Sequence, residues 1–558
     1  MEEVVVTERQ RRSRAPLIVA LVVVVVAAAI AYLLLRGGPK ADPARYLPKE
    51  VAMAATFDLT SSADKDAALD VIRGILKDVG VDKPEEELYR TLGDALKLDF
   101  KKDVLAHLNG TAAVAVLPEM NGMIPVVVAA ICAKGDDDAA ALVETLEKKL
   151  SRNKVASEKR TYKGYSYRRI PVGGSPDEMS FGPRLINYVG AVDAAVVYAT
   201  SEGGFRKVVD TIKGGPSLLD DSNFTRLRET GPSTFSTVFF SGPGYYKLIS
   251  PMMSMGMGMM GGEMPPEFKE EMENVVAVVG SADANAQGLK LSAVGVTKKP
   301  GRAYESRPLA DMAAQFPADA RIACAFNSWD KMWLDLKKGL SNPMLNSEIS
   351  QMTSQAKQAT GIDPFADFLD RLTGFAAYYV PRKAASSEAL PGAITFVLTV
   401  DKPSVVRRSI AKLHGFAAMA GQMKVTKLSV AGNQVSVMPL SGEDAKLGDV
   451  ILGNKLIIVI SGPGIAQAMG GAISAAQGKG SSLADSEGYK LVKAQLPDKG
   501  LGLFYTDIGG VVNVFKDDIP ADDRKKVQAV FKRVGWIGCS GEAHGRESNS
   551  VVFIPFKK

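Results

Sequence analysis

Leu47-Pro-Lys-Glu-Val-Ala-Met-Ala-Ala-Thr-Phe57-Asp58 returns as Phe316-Pro-Ala-Asp-Ala-Arg-Ile-Ala-Cys-Ala-Phe326-Asn327, with Pro317 standing 269 residues after Pro48. Other segments return in the same order. Gly80-Val81-Asp82 matches Gly361-Ile362-Asp363, the strand-like stretch 110–118 matches 374–381, and Ser217-Leu218 matches Ser482-Leu483 at an offset of 265. Near each end Ser281 lies over Ser540, at 259. A repeat this long is not a solenoid period. It describes one domain-sized unit used twice.

Within each copy, period-two apolar stretches (112–116, 126–131, 395–400 and 456–460) alternate with helix-like stretches at 139–150, 205–212 and 404–413. Several strands are joined by short turns, as at Lys163-Gly164, Ala431-Gly432-Asn433 and residues 285–288, and such closures require antiparallel pairing. The expected class is therefore α+β, two tandem copies of an antiparallel sheet with packed helices. Copy one covers 46–297 and copy two 315–558. The Lys/Pro/Gly-rich stretch 298–314 links them.

Ahead of the first copy, residues 15–35 (APLIVALVVVVVAAAIAYLLL) hold no charge. At about 1.5 Å per residue the run spans roughly 30 Å, a bilayer core, and reads as a transmembrane helix. Arg9, Arg11, Arg12 and Arg14 crowd its N-terminal side, whereas Arg36, Lys40 and Arg45 are spread out beyond it. The positive-inside bias then makes 1–14 a cytoplasmic tail, 36–45 a linker and everything beyond it extracytoplasmic. A cleaved signal peptide is the rival reading; the run is long for an h-region, and Leu-Leu-Leu-Arg-Gly-Gly offers no small-x-small cleavage site.

Charge excludes one class of partner. Setting aside the tail's four Arg and three Glu, 68 basic and 62 acidic residues become 64 and 59, a net +5 with no basic block, which gives no footprint for nucleic acid. Cys132, Cys324 and Cys539 are too few and too far apart for a disulfide framework.

Familiar chemical motifs fail on inspection. Gly462-Pro463-Gly464 follows a strand, but Gln467 replaces the third glycine of a dinucleotide-binding turn; Gly478-Lys479 lacks the Ser or Thr of a phosphate loop. His107, His414 and His544 share no metal-ligand spacing. Cys539 and His544 are five residues apart on a strand-like stretch, so they point to opposite faces. Asp136-Asp137-Asp138 and the Asp517–Asp523 cluster read as helix caps rather than calcium loops. No catalytic residue or cofactor follows from these patterns.

One oddity remains. Seven of the chain's 21 methionines fall within Pro251 to Met264, where the first copy carries six residues more than the second. Read as a loop over 251–264, it offers Met253, Met255, Met257 and Met259 as soft thioether ligands for Cu(I); an adaptable apolar surface and a low-complexity insertion are the plainer readings.

The anchor, the Leu-Pro opening of the Phe57-Asp58 strand, Gly80-Val81-Asp82 and Gly110-Thr-Ala-Ala-Val-Ala-Val together resemble the bacterial domain-of-unknown-function 3352 family of envelope proteins. The resemblance implies a membrane-anchored bacterial protein and supplies no catalytic residues. The expected function is a single-pass, non-enzymatic envelope module that binds or scaffolds a partner, in contact with the bilayer through 15–35. Two alternatives stand beside it: a carrier of a lipid or other apolar ligand, marked by an apolar cavity, and an envelope hydrolase, marked by a polar cleft with perturbed titratable groups.

Overall fold

The structure is a computed structural model and describes residues 42–557 apart from 59–62, 79–82, 84–85, 87–98, 123, 153–156, 173–184, 231–234, 260–268, 271–272, 302–303, 341–342, 383–390, 420–423, 441–444, 463 and 516–518. The stretch 15–35 lies outside the described residues. Among those described, no helix is long and apolar enough to cross a membrane. The chain is α+β, with a large antiparallel sheet.

It divides into two compact units, one comprising Met1–Ala63, Lys83–Asp221 and Phe235–Val238, the other Asp64–Asp82, Ser222–Thr234 and Phe239–Lys558. In the first unit the strands are β1 (Met53–Asp58), β2 (Leu108–Asn121), β3 (Ile124–Ala133), β4 (Glu158–Tyr162), β5 (Tyr165–Val172), β6 (Leu185–Val192) and β7 (Ala195–Ala199), and β8 is Ser236–Ser241. They pair in the order β4-β5-β6-β7-β3-β2-β1-β8. Helix α1 (Asp136–Arg152) follows β3, with Asp136, Asp137 and Asp138 in its first turn, where carboxylates meet the positive end of the helix dipole. Helix α2 (Glu202–Ile212) follows β7 and buries Phe205, Val208 and Val209.

The second unit contains helix α3 (Gly242–Met259), β9 (Val275–Asn285), β10 (Gly288–Thr297), β11 (Ile322–Phe326), β12 (Leu372–Pro381), β13 (Gly392–Val400), β14 (Thr426–Val430), β15 (Asn433–Pro439), β16 (Lys446–Leu452), β17 (Lys455–Ser461), β18 (Gly502–Asp507), β19 (Trp536–His544) and β20 (Glu547–Pro555). All pair antiparallel, in the order β14-β15-β16-β17-β13-β12-β11-β18-β19-β20-β10-β9. The expected boundary at 298–314 is therefore not where this unit begins. The hairpin β9–β10 belongs to it because β10 hydrogen-bonds along β20 from Gly288↔Pro555 to Val296↔Glu547.

Two layers of helices sandwich this sheet. On one face Leu309, Met312, Phe316, Tyr378, Val435, Val459 and Leu503 form the main core with α7 (Ile465–Ala476) and α8 (Glu487–Lys493), whose Met469, Ile473 and Val492 are buried. On the other face lie α4 (Trp329–Leu340), α5 (Pro343–Thr360) and α6 (Pro403–Met419). Here Leu372, Leu398, Val400, Val406 and Leu456 make a smaller cluster with Trp329, Phe375 and Ile410.

The repeated opening motifs perform the same local task. Pro48 bridges Ser217, and Pro317 bridges Ser482. Leu218 N–H donates to the Leu47 carbonyl at 2.8 Å and Leu483 N–H to the Phe316 carbonyl at 2.9 Å. Each serine forms a capping box with an aspartate three residues on, Asp220 or Asp485. The Met-rich stretch is helical as far as Met259, with Pro251 inside α3, so it is not a loop over that length.

Candidate functional site

Helix α6 crosses β15, β16 and β17 without lying flush on them. Its N-terminal half is seated by buried Val406 and by Ile410. Its C-terminal half stands over an apolar groove of about 370 Å³ lined by Phe368, Ile410, Leu413, Phe416, Met438, Leu447 and Ile458, with His414 and Asp449 as its polar members. The register explains the lining. Ser436 pairs with Asp449 and Asp449 with Ile458, and Met438 pairs with Leu447. Directly paired residues share a face, so 436, 438, 447, 449 and 458 face α6 while Val435, Val437, Val450, Ile457 and Val459 fill the main core.

His414 Nε2 lies 2.8 Å from Asp449 Oδ2. Asp449 is only 7% exposed. Burial pushes its carboxyl above the usual carboxylate range, an effect partly offset by the His414 charge and hydrogen bond and by Lys427. Along the same row Lys427 Nζ donates to Ser436 Oγ at 2.6 Å. The site is thus an apolar trough with an imidazole–carboxylate pair in its wall. That pair links α6 to the strands and can hydrogen-bond to a polar group in the trough.

In the first unit the corresponding helix–sheet contact has the opposite polarity. Ala133 ends β3 three residues before α1 and Val400 ends β13 three residues before α6, so Glu147 occupies the place of His414, both 267 residues apart. Glu147 pairs with Arg168 of β5 at 2.6 Å. An acid–base contact between helix and sheet recurs with acid and base exchanged, made to β5 in the first unit and to β16 in the second.

A second, polar cleft of about 270 Å³ is lined by Glu305, Arg307, Asp330, Lys331, Thr373 and Phe375. Glu305 and Arg307 pair with each other at 3.4 Å, so part of its charge is spent within the wall.

The remaining sequence candidates are dispersed. His107 Nδ1 lies 2.8 Å from Asp138, and His544 Nε2 lies 3.6 Å from Glu542. Cys132, Cys324 and Cys539 are free thiols whose pKa burial raises. Gly464 caps α7 with φ 101°, a left-handed backbone that suits glycine, so that turn has a steric purpose. Among the described residues no cluster of His, Cys, Asp or Glu could hold a metal ion. Positions 253, 255, 257 and 259 lie on α3, their side chains outside the described residues; helical spacing puts 253 and 257 on one face and 255 and 259 on another. The His414–Asp449 pair was not anticipated. Its one signal in the sequence is an aspartate inside the otherwise apolar strand Leu447-Gly-Asp-Val-Ile-Leu452.

The model of a family described as "Protein of unknown function (DUF3352)" matches residues 17–552. The chain belongs to the DUF3352 family. No curated protein matches this DUF3352 chain. Among solved structures it is similar to crystal form I of TP0453, at 9% identity and a TM-score of 0.19, covering 78% of this chain and 98% of that one.

Proposed function

We propose that this DUF3352 chain is a membrane-anchored, extracytoplasmic, non-enzymatic binding protein whose groove beneath α6 takes an apolar chain with a polar end. The groove carries the reading: its volume falls in the range of small-ligand sites, and its lining is apolar except for one ionisable pair at a fixed place. An acyl chain laid along Met438, Leu447 and Ile458 would present its polar end to His414. A hydrolase of the serine or cysteine type would need a nucleophile as well, and none of the residues lining the groove carries a hydroxyl or thiol.

The anchor rests on the uncharged run 15–35 and the arginines before it. The duplication is supported by strand order: β1 to β7 pair among themselves in the sequence in which β11 to β17 do. It is supported again at β10 and β20, where Ser292 pairs with Val551, its own equivalent at the 259-residue offset of Ser281 and Ser540.

Extraction of the full chain from its native membranes, followed by mass spectrometry of bound small molecules, tests the binding reading. Ala417 lines the groove, and Ala417→Trp fills it. Wild type should carry an apolar ligand that the variant lacks; equal content in both would defeat the proposal. Protease added to intact spheroplasts tests topology separately, since a fully protected chain would reverse the orientation.

A further inference from the structure

We propose that the C-terminal half of α6 docks on a bilayer surface bearing anionic lipid, so that the mouth of the groove opens against the membrane. The inference rests on the anchored reading above.

Leu413, Phe416 and Met419 are 41%, 37% and 82% exposed, large apolar side chains three residues apart whose row runs from the groove-facing side of the helix, shared by Leu413 with Val406 and Ile410, round to the exposed side at Met419. Two of them, Leu413 and Phe416, also form the lip of the groove. Such a stripe at the edge of an apolar trough is unfavourable in water and fits an apolar phase.

Charge selects which phase. The helix sequence PSVVRRSIAKLHGFAAM contains Arg407, Arg408 and Lys412 and no acidic residue. Arg407 and Arg408 are exposed, as are Lys402 before the helix and Lys424 and Lys427 after it. On the helical wheel Arg408 borders Met419, the arrangement in which a long cationic side chain reaches headgroups while the apolar row enters the acyl boundary. Lys412 Nζ donates to the Gly361 carbonyl at 2.8 Å, which ties the middle of α6 to the end of α5.

Tether length supplies the opportunity. From the end of the apolar run at Leu35 to Tyr46 there are about ten residues, at most roughly 35 Å when extended, so the folded chain is held beside the bilayer. Everything beyond that tether, α6 included, is confined to the neighbourhood of the membrane instead of being free in solution, which raises its effective concentration toward lipid.

The test uses the full chain in nanodiscs of phosphatidylcholine with or without phosphatidylglycerol, doped with a lipid carrying a photoactivatable group on its acyl chain, and maps adducts by mass spectrometry. Adducts are expected on 15–35 in both discs and on 413–419 chiefly where phosphatidylglycerol is present, weakening as salt is raised. In the triple variant Leu413→Asp, Phe416→Asp, Met419→Asp the adducts on α6 should fall about tenfold while those on 15–35 persist. The exposed pair Arg407→Gln, Arg408→Gln should reduce them without touching the apolar stripe, and circular dichroism checks that both variants fold. Adducts on 15–35 with none on α6 overturn the docking. Adducts confined to Met438, Leu447 and Ile458 also overturn it, placing the acyl chain inside the groove alone. Adducts on α6 without any on 15–35 keep the docking and overturn the anchor; adducts on neither overturn both.

Discussion

Asp449 is a carboxylate in a place where a charge is costly, and its behaviour with pH should show it. Burial raises its carboxyl despite His414 and Lys427, so the folded chain holds that proton more tightly than the unfolded chain does. The associated stability is complete below the ordinary carboxylate range and is lost as pH rises through the folded value. Relative to Asp449→Asn, wild type should therefore lose stability as the pH rises above the ordinary carboxylate range of about 4, read from urea melts across a pH series. Parallel profiles would contradict the account. Gly538 is constrained by space rather than charge: a Cβ there would lie 1.8 Å from Val492 Cγ1, on the buried side of α8. Gly538→Ala should cost about 1–3 kcal/mol in the same melts, whereas Gly453→Asn, on an open turn with φ 58°, should cost less, because only the left-handed backbone opposes it and Asn tolerates that region best.

At the scale of elements, α6 is held at one end and open at the other. Val406 is fully buried between helix and sheet, and Val406→Ala should cost about 2 kcal/mol, while Met419→Ala at the exposed end should change folding stability by less than about 0.5 kcal/mol. Thermal melts of the two variants separate these cases, and equal effects would mean that α6 packs along its whole length. Helix α3 bears on the methionine question. The helical backbone sets positions 253 and 257 on one face and 255 and 259 on another, whereas a tight Cu(I) site needs three or four thioethers that converge. Cu(I) titration of wild type and of the variant with Met253, Met255, Met257 and Met259 all changed to Leu, against a competing chelator, should therefore give the same affinity. A loss in the variant would mean that this helix unwinds to bind metal.

For the whole molecule, the pairing of β10 with β20 closes two edges at once. A chain ending at Thr297 leaves β10 without the partner it meets from Gly288 to Val296. Such an edge recruits other strands, so the shortened chain should self-associate in sedimentation experiments; a stable monomer would show that this pairing is dispensable.

Much of this architecture was legible because it is local. The stretches 112–116, 126–131, 395–400 and 456–460 lie in β2, β3, β13 and β17, and the helix-like stretches lie within α1, α2 and α6, since alternation with a period of two or 3.6 residues is written into a single segment. The groove was not legible. His414 and Asp449 are 35 residues apart and meet only because α6 crosses the sheet at one register, and Met438, Leu447 and Ile458 read individually as ordinary strand residues. Nor does periodicity reveal that α6 stands off the sheet at one end, a matter of packing between elements. Likewise the unit boundary departs from the repeat boundary because pairing with β20 outweighs position in the chain.

The most direct test of the binding account is an experimental structure of the full chain extracted from its native membranes without displacing bound molecules. The account predicts elongated density between α6 and β15–β17, in contact with Met438, Leu447 and Ile458 and ending at His414. A groove closed by α6 resting flush on those strands, with no density between them, would contradict it.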